Sequence, residues 1–253
     1  DKNPPQMILK SYPEPIPVYQ DVTIDLLKTY ILQVIDDYDD LNIDDVEVMH
    51  DIDHKRIGTY HIYYRLYDTS GNMDEKTLDI KVMDLDKPEI TLIKPLEFEV
   101  FSQPSSYLSY FEFTDNYSED DQLDITIETK PKFDIIGSYD FLLEVEDEAG
   151  QIATYRDEVK VVDITPPEII ELSDIVITDF KEKDLTIYFR AEDNYDQENI
   201  KVTVDDQLVD YNKTGIYDIE VTATDVSQNK KVLNTTLAII DISEPILKLS
   251  TDM

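Results

Sequence analysis

The sequence predicts an all-β chain of three tandem β-sandwich domains. Three observations carry this reading. A ladder of landmark residues recurs three times at fixed offsets, apolar residues alternate with period two inside each repeat, and sustained helical periodicity is absent.

The ladder starts from glycine. The chain has only five glycines, and three stand in Gly-x-Tyr, at Gly58, Gly137 and Gly215, spaced 79 and 78 residues apart. Ten residues after each comes an acid that opens a turn: Asp68 in "DTSGN", Asp147 in "DEAGQ", Asp225 in "DVSQN". Sixteen residues further come Asp84, Asp163 and Asp241, and four beyond those Pro88, Pro167 and Pro245. Upstream, Asp37, Asn116 and Asn194 each lie 21 residues before their glycine. The repeats divide the chain into domains at 1–86, 87–165 and 166–243, and 244–253 reads as the start of a further repeat or a tail.

Within a repeat the pattern is that of half-buried strands. After Gly137, Tyr139, Phe141, Leu143 and Val145 share one face, and Tyr217, Ile219, Val221 and Ala223 follow Gly215 in the same way. Each turn then leads into a returning strand, with Val159 and Val161 inward in the second repeat, so the pair is a β-hairpin. Before the acidic corners, Leu32 and Val34, Phe111 and Phe113, and Phe189 and Ala191 are expected at equivalent inward positions. The stretch "DVTIDLLKTYILQVIDDY" is compatible with a helix, but the matching segments of the other repeats read as strand. About seven short strands in fewer than 80 residues fit a small sandwich.

Composition limits function. The chain has 253 residues, 41% of them hydrophobic, enough for several cores. Fifty-seven acids against 22 Lys plus Arg give a net charge of −35, a field that repels nucleic acid and anionic membranes and attracts cations. Without cysteine there is no disulfide framework and no thiol chemistry. No apolar run of about 18 residues occurs, so nothing in this sequence reads as a membrane span. The chain begins at Asp1 and ends at Met253. It reads as a piece of a longer protein whose signal or anchor would lie outside it.

The succession Gly-x-Tyr, alternating strand, Asp-x-x-Gly-Asn and Val-x-Asp-x-x-x-Pro resembles the tandem Ig-like repeats of bacterial surface proteins, the HYR-like and related families. Gly58, Tyr60, Asp68, Gly71, Asn72, Asp84 and Pro88 carry it, with their counterparts in the other repeats. The third repeat departs by placing Gln228 where the turn glycine belongs. The resemblance implies architecture: Ig-like sandwiches in an elongated array, a monomeric rod used as an extracellular stalk or adhesive arm on the cell surface or in secreted proteins. It implies no activity.

Nothing argues for an enzyme. The three histidines, His50, His54 and His61, lie in the first repeat and do not recur. "HDIDH" offers two histidines four apart, but in a strand or loop this reads as a solvated segment. No Gly-x-Ser-x-Gly, phosphate-binding loop or cysteine nucleophile is present, and no motif identifies a Lys/Asn isopeptide crosslink. One alternative function is a glycan- or protein-binding adhesin. Only the first repeat sets aromatics beside cations on the outward face after Gly-x-Tyr, in His61, Tyr63, Arg65 and Tyr67. Another is an accessory module of a surface hydrolase.

The acidic corners are the repeated chemical feature. In an Ig-like sandwich the loops carrying them share the end at which the chain enters, so acids converge on the domain junction. Asx turns alone account for some of these residues. Calcium, which takes six to eight oxygen ligands, is the cofactor the pattern suits. The first junction would supply Asp84, Asp86, Asp115, Asn116 and Asp147. The second would supply Asp163, Asp193, Asn194, Asp196 and Asp225. Asp36, Asp37, Asp39 and Asp68 would form a corresponding, incomplete site at the N-terminal end of the first repeat. The arrangement resembles cadherin-type junctions, although the cadherin Leu-Asp-Arg-Glu motif is missing.

Overall fold

The computed structural model describes residues 2–245; the further repeat or tail expected at 244–253 lies largely outside them. Among the described residues each repeat has six strands. The first has β1 (Gln6–Leu9), β2 (Ile16–Pro17), β3 (Ile31–Ile35), β4 (Glu47–His50), β5 (Gly58–Tyr67) and β6 (Met73–Met83). The second has β7 (Glu89–Leu92), β8 (Glu97–Glu99), β9 (Phe111–Thr114), β10 (Asp124–Thr129), β11 (Gly137–Glu146) and β12 (Ile152–Val162). The third has β13 (Glu168–Glu171), β14 (Ile175–Ile177), β15 (Phe189–Glu192), β16 (Lys201–Asp205), β17 (Gly215–Thr224) and β18 (Lys230–Ile239). Each set makes a two-stranded and a four-stranded sheet. The pairs are β1–β3, β7–β9 and β13–β15, and the larger sheets run β2-β6-β5-β4, β8-β12-β11-β10 and β14-β18-β17-β16. The short strands β2, β8 and β14 pair in parallel, and the other described pairs are antiparallel. The chain is thus an all-β array of three tandem Ig-like sandwiches.

Contacts divide the chain into two compact units, one of residues 1–95, 107–129 and 141–157, the other of 96–106, 130–140 and 158–253. In the first, Ile62, Tyr64 and Leu66 of β5 and Ile80 and Val82 of β6 are almost fully buried with Ile16 and Leu27. Such burial contributes about 1.5–3 kcal/mol per large apolar side chain. The buried Tyr64 hydroxyl donates to the Leu27 carbonyl at 2.7 Å. Also in this unit, Phe111 stacks on Phe141, with centroids 5.6 Å apart. In the second unit, Ile219 and Val221 of β17 pack with Leu237 and Ile239 of β18, Ile175 and Ile177 of β14, and Phe189. The Gly-x-Tyr tyrosines work as corner anchors. Tyr60, Tyr139 and Tyr217 donate to the carbonyls of Arg56, Ile135 and Lys213, each four residues upstream, at 2.9, 2.8 and 3.0 Å.

Two expectations change. Leu32 is 58% exposed, and Ile31 takes its inward place. A bulge between Ile8 and Leu9 shifts the β1–β3 register, so that Ile8 faces Gln33 but Leu9 faces Ile31. One extra residue turns a side chain to the other face. The stretch from Asp21 to Tyr38 is partly helical: Ile24–Lys28 form one helical turn, α1, capped by the Thr23 hydroxyl, before β3 begins. Short 3-10 turns, Leu108–Tyr110 and Leu185–Tyr188, precede β9 and β15.

The hairpin turn survives the loss of its glycine. Gly71 and Gly150 have φ of 85° and 81°, and Gln228 adopts 73° at the matching position. The amide of each donates to the Asp carbonyl three residues earlier. A side chain in this region costs about 1–2 kcal/mol, against about 0.5–1 kcal/mol of chain entropy for glycine. Gln228→Gly is therefore expected to stabilise the protein by about 0.5–1 kcal/mol, read as a raised thermal midpoint. An unchanged or lowered midpoint would count against a strained turn.

Candidate functional site

Asx-turn geometry builds each acidic corner. At the corner after β9, Asp115 Oδ2 accepts the amides of Tyr117 and Ser118, at 2.9 and 2.7 Å. In the turn after β11, Asp147 Oδ1 accepts those of Ala149 and Gln151, both at 2.8 Å. Asp84, just after β6, accepts the Asp86 amide on Oδ1 at 3.2 Å. Each carboxylate is thus held by one oxygen. The other oxygens, Asp84 Oδ2, Asp115 Oδ1 and Asp147 Oδ2, are buried and have no hydrogen-bond partner. The three residues each bring an oxygen within 4.8 Å of the others'.

The third repeat builds a related arrangement, in which Asp196 rather than the corner aspartate Asp193 joins the cluster. Asp163 Oδ1 accepts the Thr165 amide, Asp193 Oδ2 accepts those of Tyr195 and Asp196, and Asp225 Oδ1 accepts that of Asn229. Asp163 Oδ2, Asp193 Oδ1 and Asp225 Oδ2 are the buried oxygens left without partners. Asp163, Asp196 and Asp225 bring oxygens within 4.8 Å of one another. Asp84, Asp147, Asp163 and Asp225 are each at least nine-tenths buried.

Burying unpaired carboxylates side by side is costly. Burial, reinforced by the charges of Asp115 and Asp147, pushes the Asp84 carboxyl above its ordinary range. Burial raises Asp163 as well, with Asp193 and Asp225 adding to it. A bound cation would relieve both. Two oxygens each about 2.4 Å from one calcium ion lie at most about 4.8 Å apart, and the oxygens of each cluster lie within that limit. The donors are all hard carboxylate oxygens, without nitrogen or sulfur, which suits calcium over zinc or copper.

The remaining acids brace the loops. Asp86 and Asn116 meet each other, the Asn116 amide donating to Asp86 Oδ2 at 2.8 Å. Asn194 donates to Glu99, and Asp37 accepts from Asn3. Three residues beyond each corner aspartate stands an acceptor for the neighbouring turn. Asp39 takes the Thr69 amide, Ser118 the Glu148 amide, and Asp196 the Val226 amide. Ser118 and Glu99 are absent from the sequence-derived ligand sets. The recurrence of an acceptor at 39, 118 and 196 is the signal that points to this brace.

The first repeat's corner is a variant. Asp36 Oδ1 accepts the amides of Tyr38 and Asp39, leaving Oδ2 buried without a partner. Asp68 Oδ2, in contrast, accepts the Asn72 side-chain amide at 2.6 Å. These bonds outweigh its burial and hold the Asp68 carboxyl below the ordinary range. In sequence, Asp1 stands five residues before β1, as Asp84 and Asp163 stand before β7 and β13. Asp1 itself lies outside the described residues.

The face of His61, Tyr63, Arg65 and Tyr67 lies on β5 as read from sequence. Its cations are engaged within the same sheet and its edge. Arg65 pairs with Glu75 at 3.1 Å, His61 Nδ1 with Asp51 at 3.0 Å, and His61 stacks on Tyr63 at 6.2 Å. In "HDIDH", His50 Nδ1 accepts the Ile52 amide and His54 Nδ1 lies 2.9 Å from the Gln20 carbonyl, so both rings hold loop backbone.

No protein-family model matches the sequence, and no curated protein does. Among solved structures, the chain is similar to protocadherin gamma B7 extracellular domains 1–4, at 13% identity and TM-score 0.30, over 77% of this chain and 63% of that one. It is similar to Drosophila N-cadherin domains 1–4, at 14% identity and TM-score 0.30, over 95% and 76%. A cis-dimer structure of protocadherin gammaB7 domains 3–6 gives 13% identity and TM-score 0.32, over 94% and 78%. The chain therefore spans less than two thirds of the first of these. At such identities and scores, what the site does has to be argued from this chain's own residues. No helix among the described residues is long and apolar enough to cross a membrane.

Proposed function

We propose that this chain is a non-catalytic, extracellular stalk or adhesion segment of a bacterial surface protein, whose tandem Ig-like repeats are joined by calcium. One observation carries the calcium reading: buried carboxylate oxygens that no protein group satisfies stand in both clusters, on Asp84, Asp115 and Asp147 in the first and on Asp163 and Asp225 in the second. Each cluster draws on both sides of a repeat boundary. Asp84 follows the last strand of one repeat, while Asp115 and Asp147 belong to the next. Asp163 stands in the same relation to Asp193, Asp196 and Asp225. An ion held at such a place ties the end of one sandwich to the loops of its successor. Three carboxylates supply part of the shell, and water or backbone oxygens complete it.

The bacterial and HYR-like assignment rests on the Gly-x-Tyr ladder alone. The non-catalytic reading rests on the absence of a nucleophile or base motif in the sequence and on the use of all three histidines to hold neighbouring backbone or acids. Thermal unfolding after chelation, with and without added calcium, tests the proposal. Calcium 100-fold above its dissociation constant adds about 2.7 kcal/mol per site. A midpoint that does not move at millimolar calcium would remove it.

A further inference from the structure

Three aromatic residues have left-handed backbones: Tyr19 with φ 62°, Phe101 with 63° and Phe180 with 55°. Bulky residues rarely adopt this conformation, and it persists only where the surroundings enforce it. Each follows the short parallel strand of its repeat, β2, β8 or β14, by two or three residues. Phe180 packs against the core of its own repeat, while the other two reach the next repeat. Tyr19 packs on Tyr117, centroids 6.3 Å apart, and Phe101 packs on Tyr195 at 6.1 Å. In both pairs the second ring belongs to the following repeat, two residues past its corner aspartate. Tyr117 also packs against the first repeat's core.

Every repeat carries both halves of this joint. Tyr38 is the third corner tyrosine, and its amide donates to Asp36 at 2.9 Å as those of Tyr117 and Tyr195 donate to Asp115 and Asp193 at 2.9 and 2.8 Å. The backbone therefore presents the three rings alike. Yet Tyr117 and Tyr195 are partly buried, while Tyr38 is 78% exposed.

We infer that Tyr38 is the receiving half of a third joint, a docking face for an Ig-like repeat of this same build seated on its N-terminal side and presenting one left-handed aromatic ring. The occupant follows from the two joints already made within the chain. Burying one more aromatic face on each partner adds an apolar contact that needs no cation.

The test lengthens the chain so that residues 1–162 are followed directly by the intact 1–253 sequence. Asp1 of the intact part then replaces Asp163, and the leading Phe101 is brought to Tyr38. Tyrosine nitration is measured in chelator, so the outcome does not depend on the calcium reading. Tyr38 of the intact part is expected to react as slowly as Tyr117, and Phe101→Ala in the leading part alone should restore its reactivity. Tyr38 reacting as fast as in the unextended chain, with Tyr117 and Tyr195 still protected, would overturn the inference and leave the ring to another kind of partner. A second measurement uses the chain unextended. Tyr19→Ala should unmask Tyr117, and Phe101→Ala should unmask Tyr195. Unchanged labelling in both would show that these rings do not cover the corner tyrosines, and would equally overturn it.

Discussion

Asp84→Asn is expected to make the cation-free protein more stable and its response to calcium weaker. The amide oxygen can keep the bond from the Asp86 amide that Oδ1 accepts now. The amide nitrogen then stands where the partnerless Oδ2 is, in a residue clustered with Asp115 and Asp147. A donor replaces a third negative charge. Two unit charges at the 4.8 Å outer limit of the cluster repel by about 1 kcal/mol at the dielectric of water and by about 3 kcal/mol at an effective dielectric of 20. The cation-free gain should therefore be about 1–3 kcal/mol. The same change removes one anionic ligand, and calcium affinity tracks ligand charge. The curves of wild type and variant should cross as calcium is raised. Asp163→Asn should repeat this in the second cluster, and the two should add, since the clusters share no residue. The protein already contains a natural version of the device, in the Asn72 amide bonded to Asp68 at the first corner. A variant less stable than wild type in chelator would mean that the carboxylates are not repelling one another.

The second large effect is an inverted pH dependence in chelator. Most folded-state carboxylates have lowered pKa values, so protonating them destabilises. Asp84 and Asp163 are raised by burial and by their acidic neighbours. The folded state then holds their protons more tightly than the unfolded chain does. Their contribution is most favourable below the ordinary carboxylate pKa of about 4. It is lost as pH rises from there through their raised folded values. Acidifying the cation-free protein from neutral pH toward that window should raise its midpoint until ordinary carboxylates such as Asp68, held low by Asn72, begin to protonate. Saturating calcium should abolish the rise, because the ion favours the charged form and acid then expels it. Urea midpoints across pH, in chelator and in calcium, read both arms. A cation-free midpoint that only falls on acidification would contradict the assigned burial of these two groups.

Much of this was legible in the sequence because it rests on local rules. Gly-x-Tyr and its alternating strand mark β5, β11 and β17, since burial on one face imposes period two. Asp68, Asp147 and Asp225 mark the hairpin turns, since an aspartate that accepts amides two and four residues on closes such a loop. The convergence of Asp84, Asp115 and Asp147 was readable once those strands were set antiparallel. Other features depend on contacts far apart in sequence. The bulge that turns Leu32 outward is set by pairing with β1, about 25 residues earlier. The left-handed Tyr19 and Phe101 meet rings about 95 residues downstream and donate their amides to the His54 and Phe133 carbonyls. The bond from the Asn116 amide to Asp86, two residues read as ligands, joins positions 30 residues apart. Gln228 gave no sign that it would hold a glycine's conformation.

Titration calorimetry of the chelated chain with calcium is the most direct measurement. Wild type should bind at least two ions per chain, Asp84→Asn and Asp163→Asn should each weaken one site, and the double variant should weaken both. Absence of binding heat at millimolar calcium, together with a melting midpoint that calcium does not move, would contradict the account and reduce the acidic corners to loop-closing turns.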